Sequence, residues 1–261
     1  IFPLQAHRIQ GSNMVSSRYH MENLMRPHLP LALLLITSPA LAAITAPETP
    51  GTAPAFDILS AGVSRAGDSL TFTMELAGQA GADLPAATGA LAGAPVWSYV
   101  WPTSLDPATV GFEGGTGILA LAATAHPDFD DTPLYDEDGD GDKANDGAGW
   151  HSHWVVLTPN EECGPGALSV RDIPEGTTPD LPETWPGLPL FIDSPDVRPV
   201  IEGKTIAVTL SLPQGTDSAA LKFDGVTSAL RVNQSVHAPL LCVTDVWDVG
   251  SGDLSLPGTV E

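Results

Sequence analysis

Residues 69–76, Ser-Leu-Thr-Phe-Thr-Met-Glu-Leu, carry the clearest structural pattern in the chain. Apolar residues fill every second position, and polar residues fill the positions between them. Side chains of a β-strand point alternately to the two faces of a sheet, so this pattern predicts a strand with one buried face. Residues 205–212, Thr-Ile-Ala-Val-Thr-Leu-Ser-Leu, repeat it. The two stretches together predict an antiparallel sheet with one face against a core.

Shorter segments rich in β-branched and aromatic residues extend the pattern on both sides. They are residues 56–63, 96–101, 117–124, 153–158, 167–171, 190–193, 219–223, 228–232 and 240–247. The 26 glycines and 25 prolines leave few places for a long helix, because both residues interrupt helices. We therefore predict an all-β protein with roughly eight to ten strands, a single antiparallel β-sandwich of the jelly-roll or immunoglobulin type with long loops.

The N-terminal part has the pattern of a secretory signal peptide. Met25-Arg-Pro-His is followed by the apolar run Leu29-Pro-Leu-Ala-Leu-Leu-Leu-Ile and by Ala40-Leu-Ala, which correspond to the charged, apolar and cleavage regions. We predict a non-native leader over 1–24, a signal peptide over 25–42, a linker over 43–55, the sandwich domain over 56–250 and a C-terminal tail over 251–261. The protein would then be periplasmic or extracellular, without a membrane span after cleavage.

Charge and cysteine content indicate the kind of partner and the compartment. The formal net charge is −22, so an anionic nucleic acid or membrane surface would be repelled and cations are the expected partners. The chain has two cysteines, Cys163 and Cys242. In an exported protein an isolated pair is typical of one disulfide, and we predict that bond here.

Residues 126–154 form a strongly acidic stretch with nine carboxylates and Lys143 as its one lysine or arginine. Residues 136–147, Asp-Glu-Asp-Gly-Asp-Gly-Asp-Lys-Ala-Asn-Asp-Gly, resemble the calcium loops of EF-hands, dockerins and thrombospondin type 3 repeats. The resemblance implies that alternating carboxylates converge on Ca²⁺. It departs from an EF-hand at the twelfth position, which is Gly147 instead of glutamate. The predicted calcium ligands are Asp136, Asp138, Asp140, Asp142 and Asp146.

Histidines border the same stretch and offer an alternative site. In an extended Trp150-His-Ser-His-Trp segment, His151 and His153 lie on one face and can share a Zn²⁺ or Cu²⁺ ion. The third ligand would be His126, at the other end of the acidic stretch, or His237. The alternative is a strand edge in which the two histidines have no metal.

Residues 57–76 resemble the first hairpin of DOMON-like and related carbohydrate-binding sandwiches. The resemblance implies an extracytoplasmic module with sugar or haem as its ligand. Haem binding in that family uses a methionine and a histidine, for which Met74 is the candidate, although its place in the alternation favours the core. An aromatic sugar platform would consist of Trp97, Tyr99, Trp101 and Trp150, with core packing as the alternative.

The sequence carries no recognisable catalytic motif. Gly-x-Ser-x-Gly, His-Glu-x-x-His and a phosphate-binding glycine loop are all missing from the chain. We therefore favour an exported calcium-binding module with a non-enzymatic, ligand-binding or structural role. The alternatives are a copper or zinc metalloprotein or metalloenzyme, and a haem-binding domain of the DOMON type.

Overall fold

The structure is a computed structural model that describes residues 43–137, 139–234 and 240–261. Short 3₁₀ helices occur at Pro107–Val110, Asp146–Ala148, Glu161–Cys163 and Ser218–Ala220. The strands are β1 (Ile44–Thr45), β2 (Ile58–Ala66), β3 (Ser69–Leu76), β4 (Pro95–Pro102), β5 (Ile118–Ala125), β6 (His151–Pro159), β7 (Leu168–Val170), β8 (Ile192–Asp193), β9 (Val200–Glu202), β10 (Thr205–Ser211), β11 (Lys222–Phe223), β12 (Val226–Val232), β13 (Leu241–Val249) and β14 (Gly258–Thr259).

The two alternating stretches of the sequence are neighbours in a five-stranded antiparallel sheet. Its strand order is β1-β2-β3-β10-β9. Strand β3 pairs with β10 so that Phe72 lies opposite Val208 and Met74 opposite Ile206. All four of these side chains are fully buried. The predicted half-buried strands are therefore confirmed.

The larger sheet closes into a barrel. Its order is β5-β4-β12-β13-β7-β6-β8, and β5 also pairs with β6, so six strands form a ring with β8 attached beside β6. The all-β, antiparallel prediction is confirmed, but the single sandwich needs correction because the seven-stranded sheet closes on itself. Small side chains at inward positions, such as Ser98, Ala122 and Ser228, give the room that so narrow a barrel needs.

The five-stranded and seven-stranded sheets create two cores. The first lies between the five-stranded sheet and the outer face of the barrel, where Phe72 contacts the rings of Trp101 and Trp154 with centroid separations of 6.2 and 6.1 Å. The second core lies inside the barrel and includes Val100 and Val155. Strand β4 therefore contributes to both cores, with its aromatic residues on the outer face and its valines on the inner one.

The segments at both ends of the described chain take part in the sheets. Within the predicted linker, Ile44–Thr45 forms β1 and pairs with β2. Within the predicted C-terminal tail, Gly258–Thr259 forms β14 and pairs with β11. The predicted leader and signal peptide lie outside the described residues. Across the described part of the chain, no helix is long and apolar enough to cross a membrane.

The predicted disulfide between Cys163 and Cys242 is confirmed. It links the 3₁₀ helix after β6 to the start of β13, two segments separated by 79 positions in the sequence. A crosslink that closes so long a loop restricts the unfolded chain strongly.

Replacing both cysteines, Cys163→Ser with Cys242→Ser, should lower the free energy of unfolding by up to about 4.5 kcal/mol, the loop-entropy estimate for this length. Urea denaturation of the variant and of the wild type measures the difference. Reduced wild-type protein serves as the control and should match the variant. Equal stability of all three samples would contradict the expectation.

Candidate metal centre

The β5–β6 pairing fixes the positions of three histidines. Thr124 lies opposite His151, and Ala122 lies opposite His153. His151 and His153 are two positions apart on β6, so their side chains share one face. His126 directly follows β5 and therefore lies beside the start of β6. The register of one hairpin thus brings both ends of the long acidic loop together.

Four buried side chains converge at this place, and we call His126, Asp131, His151 and His153 the His/Asp cluster. One ligand atom from each lies within 4.8 Å of all the others. Oδ1 of Asp131 is 3.1, 3.2 and 3.4 Å from Nε2 of His126, His151 and His153, respectively. The Nε2 atoms of His126 and His151 are 2.9 Å apart. No member is more than 4% exposed.

The backbone orients all three imidazole rings in the same way. Nδ1 of His126 lies 3.0 Å from the carbonyl oxygen of Phe129, Nδ1 of His151 lies 2.9 Å from that of Gly149, and Nδ1 of His153 lies 3.0 Å from that of Asp193. A carbonyl only accepts, so each Nδ1 donates its proton, and a neutral ring then carries its lone pair on Nε2. Metal-ligating histidines typically have this arrangement, in which a second partner fixes ring orientation and tautomer.

Asp131 is suited to act as an anionic ligand. Burial raises its pKa, but the charges of His126 and His153 and the hydrogen bonds from His126 and His151, all of which require a ring with a proton on Nε2, outweigh burial, and the pKa lies well below the ordinary value. The hydroxyl of Ser194 donates to the Asp131 carbonyl and holds the backbone in place. The lowered pKa favours the ionised carboxylate although it is removed from water.

Glu137 is a second buried carboxylate near the cluster. It is 6% exposed, and neither of its oxygens has a hydrogen-bond partner among the residues that the structure describes. Burial raises its pKa to about 7; the nearby charge of His153 opposes this shift, and the charges of Asp131 and Asp146 add to it. An unpaired, buried carboxylate is costly to keep ionised.

The predicted calcium ligands are arranged differently from the His/Asp cluster. Asp136 accepts hydrogen bonds from the backbone of Gly139 and Gly141, and Asp140 and Asp142 accept from backbone amides two positions ahead. Asp146 is buried in a 3₁₀ helix, and Asp138 lies outside the described residues. Among the described residues, none of these aspartates belongs to the group of converging ligand atoms. Calcium binding therefore stays a prediction.

The aromatic and methionine candidates lie mainly in the core between the sheets. Tyr99, Trp101 and Met74 are fully buried there. Trp97 and Trp150 are partly buried and pack against the same core. His237, the alternative third ligand, lies outside the described residues. Sugar and haem binding remain predictions.

Sequence reasoning found the three histidines and missed the carboxylate. Asp131 belongs to the same acidic stretch as the predicted calcium ligands, and nothing in the local sequence distinguishes the aspartate that joins the histidines. The five-residue spacing between His126 and Asp131 does not by itself predict that the two side chains meet. They meet because the loop folds back across the end of the barrel. Glu137 was missed for the same reason.

Gly147 offers a test of how the cluster is held. Its carbonyl accepts from the backbone of His126 at 2.7 Å, and an added Cβ would overlap the Phe129 carbonyl and lie 2.9 Å from Nδ1 of His126. Gly147→Ala should therefore displace the Phe129 carbonyl that orients His126. A metal ion held by the cluster, with Zn²⁺ as the probe, should then bind at least about 10-fold more weakly, the range known for orienting partners. Competition with a chromophoric chelator measures the affinity.

The matched control is Gly149→Ala in the same loop. The Gly149 carbonyl also orients a ring, that of His151, but its φ of −83° suits alanine and the added Cβ would meet only the Asp146 carbonyl at an ordinary 3.7 Å, so this carbonyl should stay in place. It should bind Zn²⁺ like the wild type. Equal affinities of the two variants and the wild type would contradict the proposed role of Gly147.

The raised pKa of Glu137 predicts a pH dependence in chelator-treated protein. Below about pH 4.5, the ordinary value, the carboxyl is neutral in both states. Between that value and about 7 the unfolded chain loses the proton and the folded chain retains it, so the free energy of unfolding should fall as the pH rises through this window. Glu137→Gln should make the fall shallower in urea denaturation, whereas Glu202→Gln, at an exposed position, should not. Identical profiles for Glu137→Gln and wild type would contradict the assignment.

Comparison of the chain with protein-family models, with curated proteins and with solved structures found no match in any of the three. The interpretation of the centre therefore depends on its own geometry and chemistry.

Proposed function

We propose that this protein binds one transition-metal ion, with Zn²⁺ as the best fit, through His126, Asp131, His151 and His153. One observation carries the proposal: three buried Nε2 atoms, in rings whose Nδ1 atoms each face a backbone carbonyl, surround one buried carboxylate oxygen. Without a positive charge among them, these groups would repel one another in a site of low polarity. A metal ion would convert the repulsion into four bonds.

The distances favour a tetrahedral ion. With bonds of 2.0–2.1 Å, a tetrahedral zinc site has ligand atoms about 3.3–3.4 Å apart. Four of the six separations, between 2.9 and 3.4 Å, are close to that value, and the other two lie within 4.8 Å. A square-planar Cu²⁺ site would place one histidine trans to Asp131, about 4 Å from its oxygen. All three histidines are nearer than that, which supports Zn²⁺ over planar Cu²⁺.

The ligand types disfavour calcium at the His/Asp cluster. Ca²⁺ prefers six to eight oxygen ligands, whereas three of the four atoms here are imidazole nitrogens. Calcium, if it binds, would therefore use the acidic loop as a separate site. The four-ligand set with Zn²⁺ is that of a structural or storage site, in contrast to the three-ligand set with a bound water that catalytic zinc uses. A non-enzymatic binding role follows.

The disulfide supports an exported location. Disulfides persist in the periplasm and outside the cell and are rare in reducing compartments. Together with the signal-peptide pattern in the sequence, Cys163–Cys242 favours a periplasmic or extracellular metal-binding protein.

Metal analysis of matched variants tests the proposal. Wild-type protein, chelated and refilled with Zn²⁺, should retain one ion per chain after dialysis. Asp131→Asn should weaken Zn²⁺ binding by more than about 100-fold, beyond the range for losing an orienting partner. The control is Asp130→Asn, whose side chain accepts from the backbone of Thr132, a bond that an amide oxygen also makes. Binding of Zn²⁺ by Asp131→Asn as tight as that of the control would overturn the proposal.

A parallel titration with Ca²⁺ separates the acidic loop from the His/Asp cluster. If the loop binds calcium, Ca²⁺ at 100 times its Kd should stabilise chelated protein by about 2.7 kcal/mol. The shift should persist in the His151→Ala, His153→Ala double variant. No shift with Ca²⁺ would remove the calcium prediction and leave the zinc proposal untouched.

A further inference from the structure

The inside of the barrel contains a cavity of about 170 Å³ with largely apolar walls. The inward side chains of five barrel strands form most of it: Val96, Val100, Ala122, Val155, Val170 and Leu230. Two serines, Ser98 and Ser228, also line the wall. Their hydroxyl groups hydrogen-bond to each other at 2.8 Å, and the Ser98 hydroxyl also donates to the Ser228 carbonyl at 3.0 Å. This wall therefore offers no charge to a guest molecule and needs no water to satisfy it.

One end of the cavity is the His/Asp cluster. His126, Asp131 and His153 line the cavity together with Phe129, whose ring stacks on His126 with centroids 4.0 Å apart. The cluster thus faces the protein's interior instead of bulk solvent. A molecule in the cavity would lie against the metal ligands.

The other end opens to solvent between apolar side chains. Ile118 is the first residue of β5 and is 39% exposed. The cluster lies past the last residue of that strand, so Ile118 marks the opposite end of the barrel. Leu254, which also lines the cavity, is 42% exposed. Leu254 and Leu256 both have positive φ, 58° and 53°, a conformation that is costly for leucine. Such strain is concentrated at functional sites and ligand clamps.

Size and polarity determine what fits. An apolar cavity of about 150 Å³ takes up benzene, and a peptide or a sugar ring with its hydroxyls would not match these walls. We propose that the barrel binds a small, uncharged, apolar molecule of about six to eight non-hydrogen atoms, which enters between Ile118 and Leu254 and lies against His126, Asp131 and His153. The position next to a metal rests on the proposed function; the binding of the molecule does not.

Toluene tests the cavity directly, in chelator-treated protein without metal. It should raise the melting temperature of the wild type and give a saturable binding isotherm. Ala122→Leu places extra methyl groups inside the barrel and should abolish the shift or weaken binding at least 10-fold. Ala86→Leu, at an exposed position, adds the same groups at the surface and should bind like wild type. No binding to the wild type, or equal binding by Ala122→Leu, overturns the proposal.

Cobalt-loaded protein tests the position of the molecule. Co²⁺ is a paramagnetic substitute for Zn²⁺, so toluene bound beside the cluster should show strongly enhanced proton relaxation that Ala122→Leu removes. Binding without enhanced relaxation in a cobalt-loaded sample overturns the placement against the cluster. Failure of Co²⁺ and Zn²⁺ to bind at all refutes the proposed function instead, while the metal-free toluene result still decides whether the cavity accepts an apolar guest.

Discussion

The pairing of β5 with β6 is the interaction on which the rest of the structure depends. It closes the seven-stranded sheet into a barrel, and it sets Thr124 opposite His151 and Ala122 opposite His153. Without this pairing the barrel would have no interior, and His126 would have no fixed relation to the other two histidines. Barrel, cavity and His/Asp cluster are therefore three consequences of one strand register.

The electrostatics of the His/Asp cluster favour a bound cation. A buried carboxylate and three imidazole nitrogens that direct lone pairs toward it form an unfavourable arrangement unless a positive charge lies among them. With each Nδ1 against a backbone carbonyl, a metal ion among the Nε2 atoms would neutralise the site, which is the basis of the proposal.

The regular part of the fold was predictable from the sequence because burial imposes a two-residue period on strands. Residues 69–76 form a strand at the predicted bounds, and the same period places the aromatic residues and the valines of β4 on opposite faces. Closure of the barrel was not predictable, since it depends on a pairing between β5 and β6 across a long acidic loop, and strand propensity carries no information about partners.

Two histidines of the candidate site were predictable because strands have a two-residue period. The spacing of His151 and His153 places both on one face of an extended segment, whatever the partner strand. Asp131 and Glu137 turn inward only because the loop folds over the barrel end, with Gly147 pressed against His126. Local sequence distinguishes neither residue from the exposed aspartates nearby. Those exposed aspartates resemble a calcium loop, and the calcium prediction was based on them.

X-ray absorption spectroscopy at the zinc edge tests the central claim most directly. Protein refilled with one equivalent of Zn²⁺ should show four nitrogen or oxygen neighbours at about 2.0–2.1 Å, with the outer-shell scattering of three imidazole rings. The Asp131→Asn variant should lose that signature. A first shell of oxygens without imidazole scattering would place the ion among the loop carboxylates and contradict the account.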